Sequence, residues 1–232
     1  MDPLAGSAWS RATTIESFVR SPPNRALLDY AVARRAQDGA IALDIGCGAG
    51  RNVVPLAQSG WTVLGLDLST PMLSAARQRA LDAGTGARAR FALAPMHALP
   101  VRSDSCDLIV AHGIWNLARS AAEFRAAVRE AARVARAGAG LFVFTFSRHT
   151  LPSDVEPVAG EPFVYTQFSG EAQCFLTAAQ LIEELDAAGF VLDAAVPLVE
   201  HNLPQPGRLR GPGAPVIYEA AFLRRVSAAP SA

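Results

Sequence analysis

An apolar run carrying a single acid, Ile41-Ala42-Leu43-Asp44-Ile45, breaks into Gly46-Cys47-Gly48-Ala49-Gly50 and continues as Arg51-Asn52. No other stretch restricts the fold so tightly. Ala42 to Ile45 reads as a buried parallel strand, apolar apart from its acid. The chain must then turn sharply into a helix that starts near Arg51. Glycine allows the positive φ and the close backbone approach such a turn requires, so a ligand can lie against the backbone at Gly46, Gly48 and Gly50. Asp44, at the strand end, is placed to accept hydrogen bonds from a cationic amino group. A second apolar run, Thr62-Val63-Leu64-Gly65-Leu66-Asp67-Leu68, ends in an acid placed to bridge two ribose hydroxyls, as an acid does in dinucleotide folds.

The spacing separates two ligand classes. A dinucleotide site needs G-x-G-x-x-G to bring a helix N-terminus to a pyrophosphate. Here the pattern is D-x-G-x-G-x-G, and Asp44 would repel a pyrophosphate while suiting the amino group of a methionine moiety. With Asp67 on the following strand, this pattern resembles the cofactor site of the class I S-adenosylmethionine (SAM)-dependent methyltransferases, of the kind with a methyltransferase domain 11/25. The resemblance covers roughly residues 40 to 225 and is sharpest through about 145. It implies SAM as cofactor and S-adenosylhomocysteine as product. It also implies a cofactor-binding set of Asp44, Gly46, Cys47, Gly48, Gly50, Asn52, Asp67, Leu68, Met96, His97 and Ala111. Leu68 falls where relatives pack an apolar side chain against the adenine. Many relatives read G-D-A-x-x-L-P after the third strand, whereas this chain has Ala94-Pro95-Met96-His97-Ala98-Leu99-Pro100. The acid that would bind the adenine amino group is therefore replaced by Pro95. Met96 is left to offer a backbone amide and a thioether.

At 232 residues the chain is long enough for one domain with a substantial core. Its formal net charge is zero and no basic patch stands out, which gives nucleic-acid binding little electrostatic support. Every basic residue is arginine, so Schiff-base and P-loop lysine chemistry are excluded. No apolar stretch approaches the roughly 20 residues of a membrane helix, and Met1-Asp2-Pro3-Leu4 lacks a charged n-region and an apolar h-region, so no signal peptide is expected. Cys47, Cys106 and Cys174 lack metal-ligand spacing, so no metal is expected. An odd cysteine count without an export signal points to reduced thiols in the cytoplasm.

Strand and helix alternate along the chain, which gives a parallel sheet covered on both faces. Strands are expected at 41–45, 62–67, 88–94, 107–112, 140–146, 190–198 and 215–225. Helices are expected from Arg25 to about Gln37 and at 51–59, 70–83, 120–136 and 177–188, with residues 1–23 irregular. The last two strands lack an intervening helix and read as an antiparallel hairpin across the Pro/Gly-rich segment Leu203 to Pro215. The fold class is thus α/β, a Rossmann-like, seven-stranded, mostly parallel sheet flanked by helices. The resemblance implies the strand order 3-2-1-4-5-7-6 with strand 7 antiparallel. The expected organisation is an N-terminal cap at 1–38, a methyltransferase domain at 39–226 with 148–176 as a substrate lid, and a frayed tail at 227–232.

SAM carries an already activated methyl, so a protein of this class mainly aligns donor and acceptor and excludes water. A base is required only where the acceptor must lose a proton. His112, at the end of the fourth strand, His149 after the fifth and His201 after the sixth are the candidate catalytic histidines. Arg148 suits an anionic group on the acceptor. The aromatics Phe163, Tyr165 and Phe168 of the lid, with Trp115 and Trp9, are candidates to line an apolar acceptor pocket. No N/D-P-P-Y/F tetrapeptide follows the fourth strand, where the chain reads His112-Gly113-Ile114-Trp115. The expected partner is a small-molecule methyl acceptor, with no nucleic acid and no membrane, on a monomer or homodimer. The alternatives are a SAM-binding sensor or assembly protein without turnover, and a nicotinamide-dependent oxidoreductase.

Overall fold

The computed structural model describes residues 2–35, 40–203 and 214–226. The strands are β1 (Ile41–Ile45), β2 (Thr62–Asp67), β3 (Ala89–Leu93), β4 (Cys106–His112), β5 (Ala135–Phe146), β6 (Val164–Tyr165), β7 (Gln173–Cys174), β8 (Phe190–Leu192), β9 (Val199–His201) and β10 (Ile217–Arg224). The helices are α1 (Ala12–Arg20), α2 (Arg25–Arg34), α3 (Val53–Gln58), α4 (Thr70–Asp82), α5 (Ala121–Val134) and α6 (Ala178–Ala187).

The main sheet runs β3-β2-β1-β4-β5-β10-β8, with β9 also on β10. β1 to β5 pair in parallel, and β10 runs antiparallel to β5 and β8. This is the expected order, with the sixth strand divided in two. Central strands of a parallel sheet are buried on both faces, and Leu108, Ile109, Val110 and Ala111 of β4 are fully buried. One face packs Phe124, Val128, Leu141, Val143, Leu181 and Leu185 together. The other gathers Leu27, Tyr30, Val53, Leu56, Val63 and Phe142. At the far edge Asp107 accepts from Ile41 N at 2.8 Å and pairs with Arg136 at 2.5 Å, tying β4 to β1 away from the glycine turn.

Several expected boundaries move, each for a local reason. The N-terminal stretch expected to be irregular over 1–23 is not wholly so: a 3₁₀ turn at Ala8–Ser10 leads into α1, which lies along α4 with none of its residues fully buried. The helix opened by Asn24 ends at Arg34, and Gln37 lies outside the described residues. α3 starts at Val53 rather than 51, because Arg51 and Asn52 still belong to the turn. β5 begins at Ala135 because the chain leaves α5 directly into extended backbone, with a register irregularity opposite Cys106 and Leu108. The strand expected over 190–198 stops at Leu192. There Asp193 accepts from Tyr30 Oη and from Ala195 N, both at 3.0 Å, and bends the chain out of the sheet before β9. The stretch 150–174 is not wholly irregular, since β6 and β7 form a short antiparallel pair. The expected frayed tail at 227–232 lies outside the described residues.

Candidate active site

In open α/β sheets, ligands sit beyond the carboxyl ends of the strands, and here the loops after β1, β2 and β4 meet. Gly46 and Gly48 adopt φ of +71° and +52°. A Cβ on Gly46 would stand 2.7 Å from the Ile114 side chain, and one on Gly48 would stand 3.0 Å from the Phe18 ring. The bare backbone of the turn is thus roofed by Ile114 from beyond β4 and by Phe18 from α1.

Asp44 is 1% exposed, and its Oδ2 has no hydrogen-bond partner among the described residues. Burial pushes its carboxyl up to about 7. Arg51 pulls it back and Asp67 adds to the rise. Buried polar atoms are nearly always hydrogen-bonded. A carboxyl oxygen left unpartnered beside bare glycine backbone marks a place for a donor the chain does not supply. The amino group of SAM is such a donor, so these residues fit that cofactor.

Asp67 ties the loops after β1 and β2 together. Its Oδ2 accepts from Gly48 N at 2.9 Å and its Oδ1 from Ser69 N at 2.8 Å. Burial still raises its carboxyl above the ordinary value, and these bonds oppose the rise. Each carboxylate oxygen has two lone-pair positions, so acceptor capacity remains for two hydroxyls. Ser69, fully buried, caps α4 through Met72 N and donates to the carbonyl of Trp9. Cys47, Met96 and Ala111 are buried and Leu68 is half-buried. The Asn52 side-chain oxygen is taken by the backbone N–H of Asn24. His97 stands at the surface with Nδ1 3.8 Å from Glu123.

The three histidines do not form one cluster. His112 stacks on Phe144 at 4.1 Å, with Arg51 Nη2 2.7 Å from its Nδ1 and Asn24 Nδ2 3.2 Å from its Nε2. Burial, then the Arg51 charge, pushes His112 down to about 3, so the ring is neutral at neutral pH. His149 Nδ1 lies 2.7 Å from Glu200 Oε1, which also accepts from the Ser147 hydroxyl. His201 Nε2 lies 3.7 Å from Glu219 Oε1, while Glu219 Oε2 accepts from Asn24 Nδ2 at 2.6 Å. Glu219, Phe144 and His112 are register partners across β10, β5 and β4, so one row crosses three strands.

In the segment after β5, Arg148 donates to Tyr165 Oη at 3.0 Å and to the carbonyls of Pro152 and Val155, each at 2.9 Å. It organises its own loop beside a cavity of about 560 Å³ lined by Arg148, His149, Leu151, Pro152 and Ser153. Trp115, Phe163 and Tyr165 are packed inside the protein, the first two edge-on to Phe124. Phe168 is the exposed aromatic of this group and covers Phe146 and Phe175. Trp9 meets Phe18 edge to face at 5.9 Å. Among the described residues, no group of three or more metal-ligating side chains comes together, and no helix is long and apolar enough to cross a membrane.

Sequence reading did not single out Arg51, Glu200 or Glu219, and gave Asn24 only as the cap of the helix from Arg25. Two signals were present: an arginine directly after the third glycine, and a lone acid inside the apolar run Ile217 to Leu223.

The sheet order and the glycine turn with its two acids are those of the class I SAM-dependent methyltransferase fold. The methyltransferase domain family matches residues 42–138. The chain is 30% identical over 141 residues to the ubiquinone biosynthesis O-methyltransferase of Sinorhizobium medicae, which is 61% of this chain and 51% of that protein. It is 28% identical over 174 residues to the demethylmenaquinone methyltransferase of Mycobacterium marinum, 68% of this chain and 70% of that one. The match thus spans about half the length of the first relative. Among solved structures, a SAM-dependent methyltransferase from Methanosarcina mazei superposes with a TM-score of 0.67 at 20% identity, covering 89% of this chain and all of that one.

Proposed function

We propose that the chain transfers a methyl group from SAM to a small-molecule acceptor. The observation that carries this is the buried Asp44 carboxyl at the glycine turn, whose Oδ2 has no partner among the described residues. Bound there, SAM would present an activated methyl on a sulfonium, open to in-line displacement by the acceptor. Asp44, ionised, would accept from the amino group, and Asp67 would hold the two ribose hydroxyls while keeping its bonds to Gly48 N and Ser69 N. Met96 borders the adenine place that Pro95 leaves without an acid. Trp9 and Phe18 close the outer side and keep water out.

His149 and His201 each face a carboxylate, Glu200 and Glu219, which orients one ring nitrogen and leaves the other to take a proton from the acceptor. His112, neutral and engaged by Arg51, serves the acceptor by hydrogen bonding. Phe168 supplies exposed aromatic surface for an apolar acceptor. The relatives' names, one an O-methyltransferase of ubiquinone biosynthesis and one a demethylmenaquinone methyltransferase, put hydroxylated quinols first among acceptors to try.

Titration calorimetry with SAM, S-adenosylhomocysteine and NADH tests the cofactor. A panel of quinols, phenols, thiols, amines and carboxylates with methyl-labelled SAM then tests transfer. Micromolar binding of the first two ligands and label on one acceptor class are expected. Preference for NADH would overturn the reading, and binding without turnover on any acceptor would favour a sensor or assembly role.

A further inference from the structure

We propose that Arg51 holds the α-carboxylate of SAM, so that Asp44 and Arg51 grip the two charged ends of its amino-acid moiety. The proposal rests on reading the glycine turn as the SAM site.

Two uncompensated groups of opposite sign flank this turn. Asp44 is buried with an oxygen that no described donor reaches. Arg51, directly after Gly50, is half-buried, and among the described residues it makes no ion pair; its guanidinium rests on the neutral His112 ring. Burial works against its charge, and Asp44 is the neighbour that supports it. The two feel each other but do not pair. A half-buried guanidinium without a counter-ion is costly. So is a buried carboxyl without a donor.

The amino-acid end of SAM carries an ammonium and a carboxylate on one carbon, and would satisfy both groups at once. Arginine suits the second role because its planar fork matches a carboxylate with two parallel N–H···O bonds. The neighbouring arginines are otherwise engaged: Arg77 donates to the carbonyl of Phe91 and Arg79 to that of Val19. In this view His112 parks the guanidinium while the cofactor is absent, and binding draws Arg51 off the ring.

The test compares S-adenosylhomocysteine with 5′-methylthioadenosine, which keeps the adenosine and the thioether but has no amino-acid end. Arg51→Gln should weaken S-adenosylhomocysteine roughly 10- to 100-fold, the range of a charge-assisted hydrogen bond, and leave methylthioadenosine unchanged. Arg51→Lys should fall between, and thermal unfolding of both variants checks that they fold. The ring nitrogens of His112, followed by NMR, should shift on adding S-adenosylhomocysteine and stay still with methylthioadenosine. Equal losses for both ligands, or none for S-adenosylhomocysteine, would overturn the proposal. Unchanged affinity with a raised KM for the acceptor would move Arg51 to the acceptor side and overturn it too. Wild-type protein that binds methylthioadenosine and S-adenosylhomocysteine equally would remove the amino-acid grip alone. Wild-type protein that binds neither would remove the SAM reading itself.

Discussion

Arg51 Nη2 and His112 Nδ1 meet at 2.7 Å, so a cation that cannot give up its proton occupies one nitrogen of the imidazole. A neutral ring has a single acceptor nitrogen. Asn24 Nδ2 approaches the other at 3.2 Å, and its own amide oxygen is fixed by capping Leu27 N, so the amide cannot flip. The shorter contact takes the lone pair, and Nε2 carries the hydrogen.

NMR of the cofactor-free protein should therefore show His112 as the Nε2–H tautomer, with no titration between pH 5 and 8, because its midpoint lies near 3. Folding linkage has a definite sign. A histidine depressed on folding costs stability once pH falls below its unfolded value of about 6.5. The cost grows until the folded midpoint is passed. A His112 midpoint near 6.5 in the folded protein would refute the arrangement. Arg51→Gln should raise the midpoint, since the arginine charge is the second cause of its depression.

With Asp44 as the proposed holder of the amino group, cofactor binding should depend on pH. Its carboxyl sits near 7 in the free protein, and an ammonium is held only by the ionised form. S-adenosylhomocysteine affinity should fall close to tenfold per pH unit below about 6 and level off above 8. Folding has the opposite preference. A carboxyl raised from about 3.9 to near 7 costs nothing below pH 4, costs more as pH rises to 7, and then costs a constant amount of about 4 kcal/mol. Asp44→Asn should thus raise the unfolding temperature of the empty protein at pH 8 while losing binding. A variant that loses stability as well as binding would mean the carboxylate is satisfied in the folded state.

Gly48 tests the turn itself. Its φ of +52° costs a residue with a Cβ about 1–2 kcal/mol, and the new atom would press on Phe18 at 3.0 Å. Gly48→Ala should lower stability by about that much and weaken S-adenosylhomocysteine at least tenfold; Gly48→Val should abolish binding. Calorimetry beside denaturant unfolding separates the two effects. Retained affinity in the valine variant would place the cofactor elsewhere.

The parts of this site that were legible in the sequence are those the backbone dictates. The D-x-G-x-G-x-G turn, the acid closing β2 and the alternation of strand and helix follow from local chemistry that no distant contact overrides. α1 was missed because its start at Arg11 has no side-chain cap and none of its residues is fully buried, so neither a start signal nor a burial stripe announces it. The break after Leu192 was missed because Asp193 is held by Tyr30, 163 residues away in the chain. The row of Glu219, Phe144 and His112 depends on strand register across the sheet, which a one-dimensional pattern does not carry. Arg148, set down as an anion binder, could not be recognised beforehand as the organiser of its own loop.

Asn24 makes the last prediction because its one side chain does two separable things. Its oxygen caps α2 at Leu27 N, 2.9 Å away, and its nitrogen donates to Glu219 at 2.6 Å. Asparagine and aspartate are equally good caps, so Asn24→Asp keeps the first role. It then sets a second carboxylate against Glu219, whose side chain is 15% exposed. Two carboxylates this close, with little water between them, repel, and the lost donor leaves Glu219 poorly satisfied. Asn24→Asp should cost about 1–3 kcal/mol at pH 7 by denaturant unfolding, on the scale of an unsatisfied buried group. The cost should shrink as pH falls, because protonating either carboxyl restores a donor. Asn24→Asp combined with Glu219→Gln should recover most of the loss, since a glutamine amide can donate to the new aspartate. Asn24→Ser, a good cap without the reach to Glu219, separates the capping role from the pairing role. An Asn24→Asp variant as stable as wild type at pH 7 would show that the contact with Glu219 does not anchor α2 to β10.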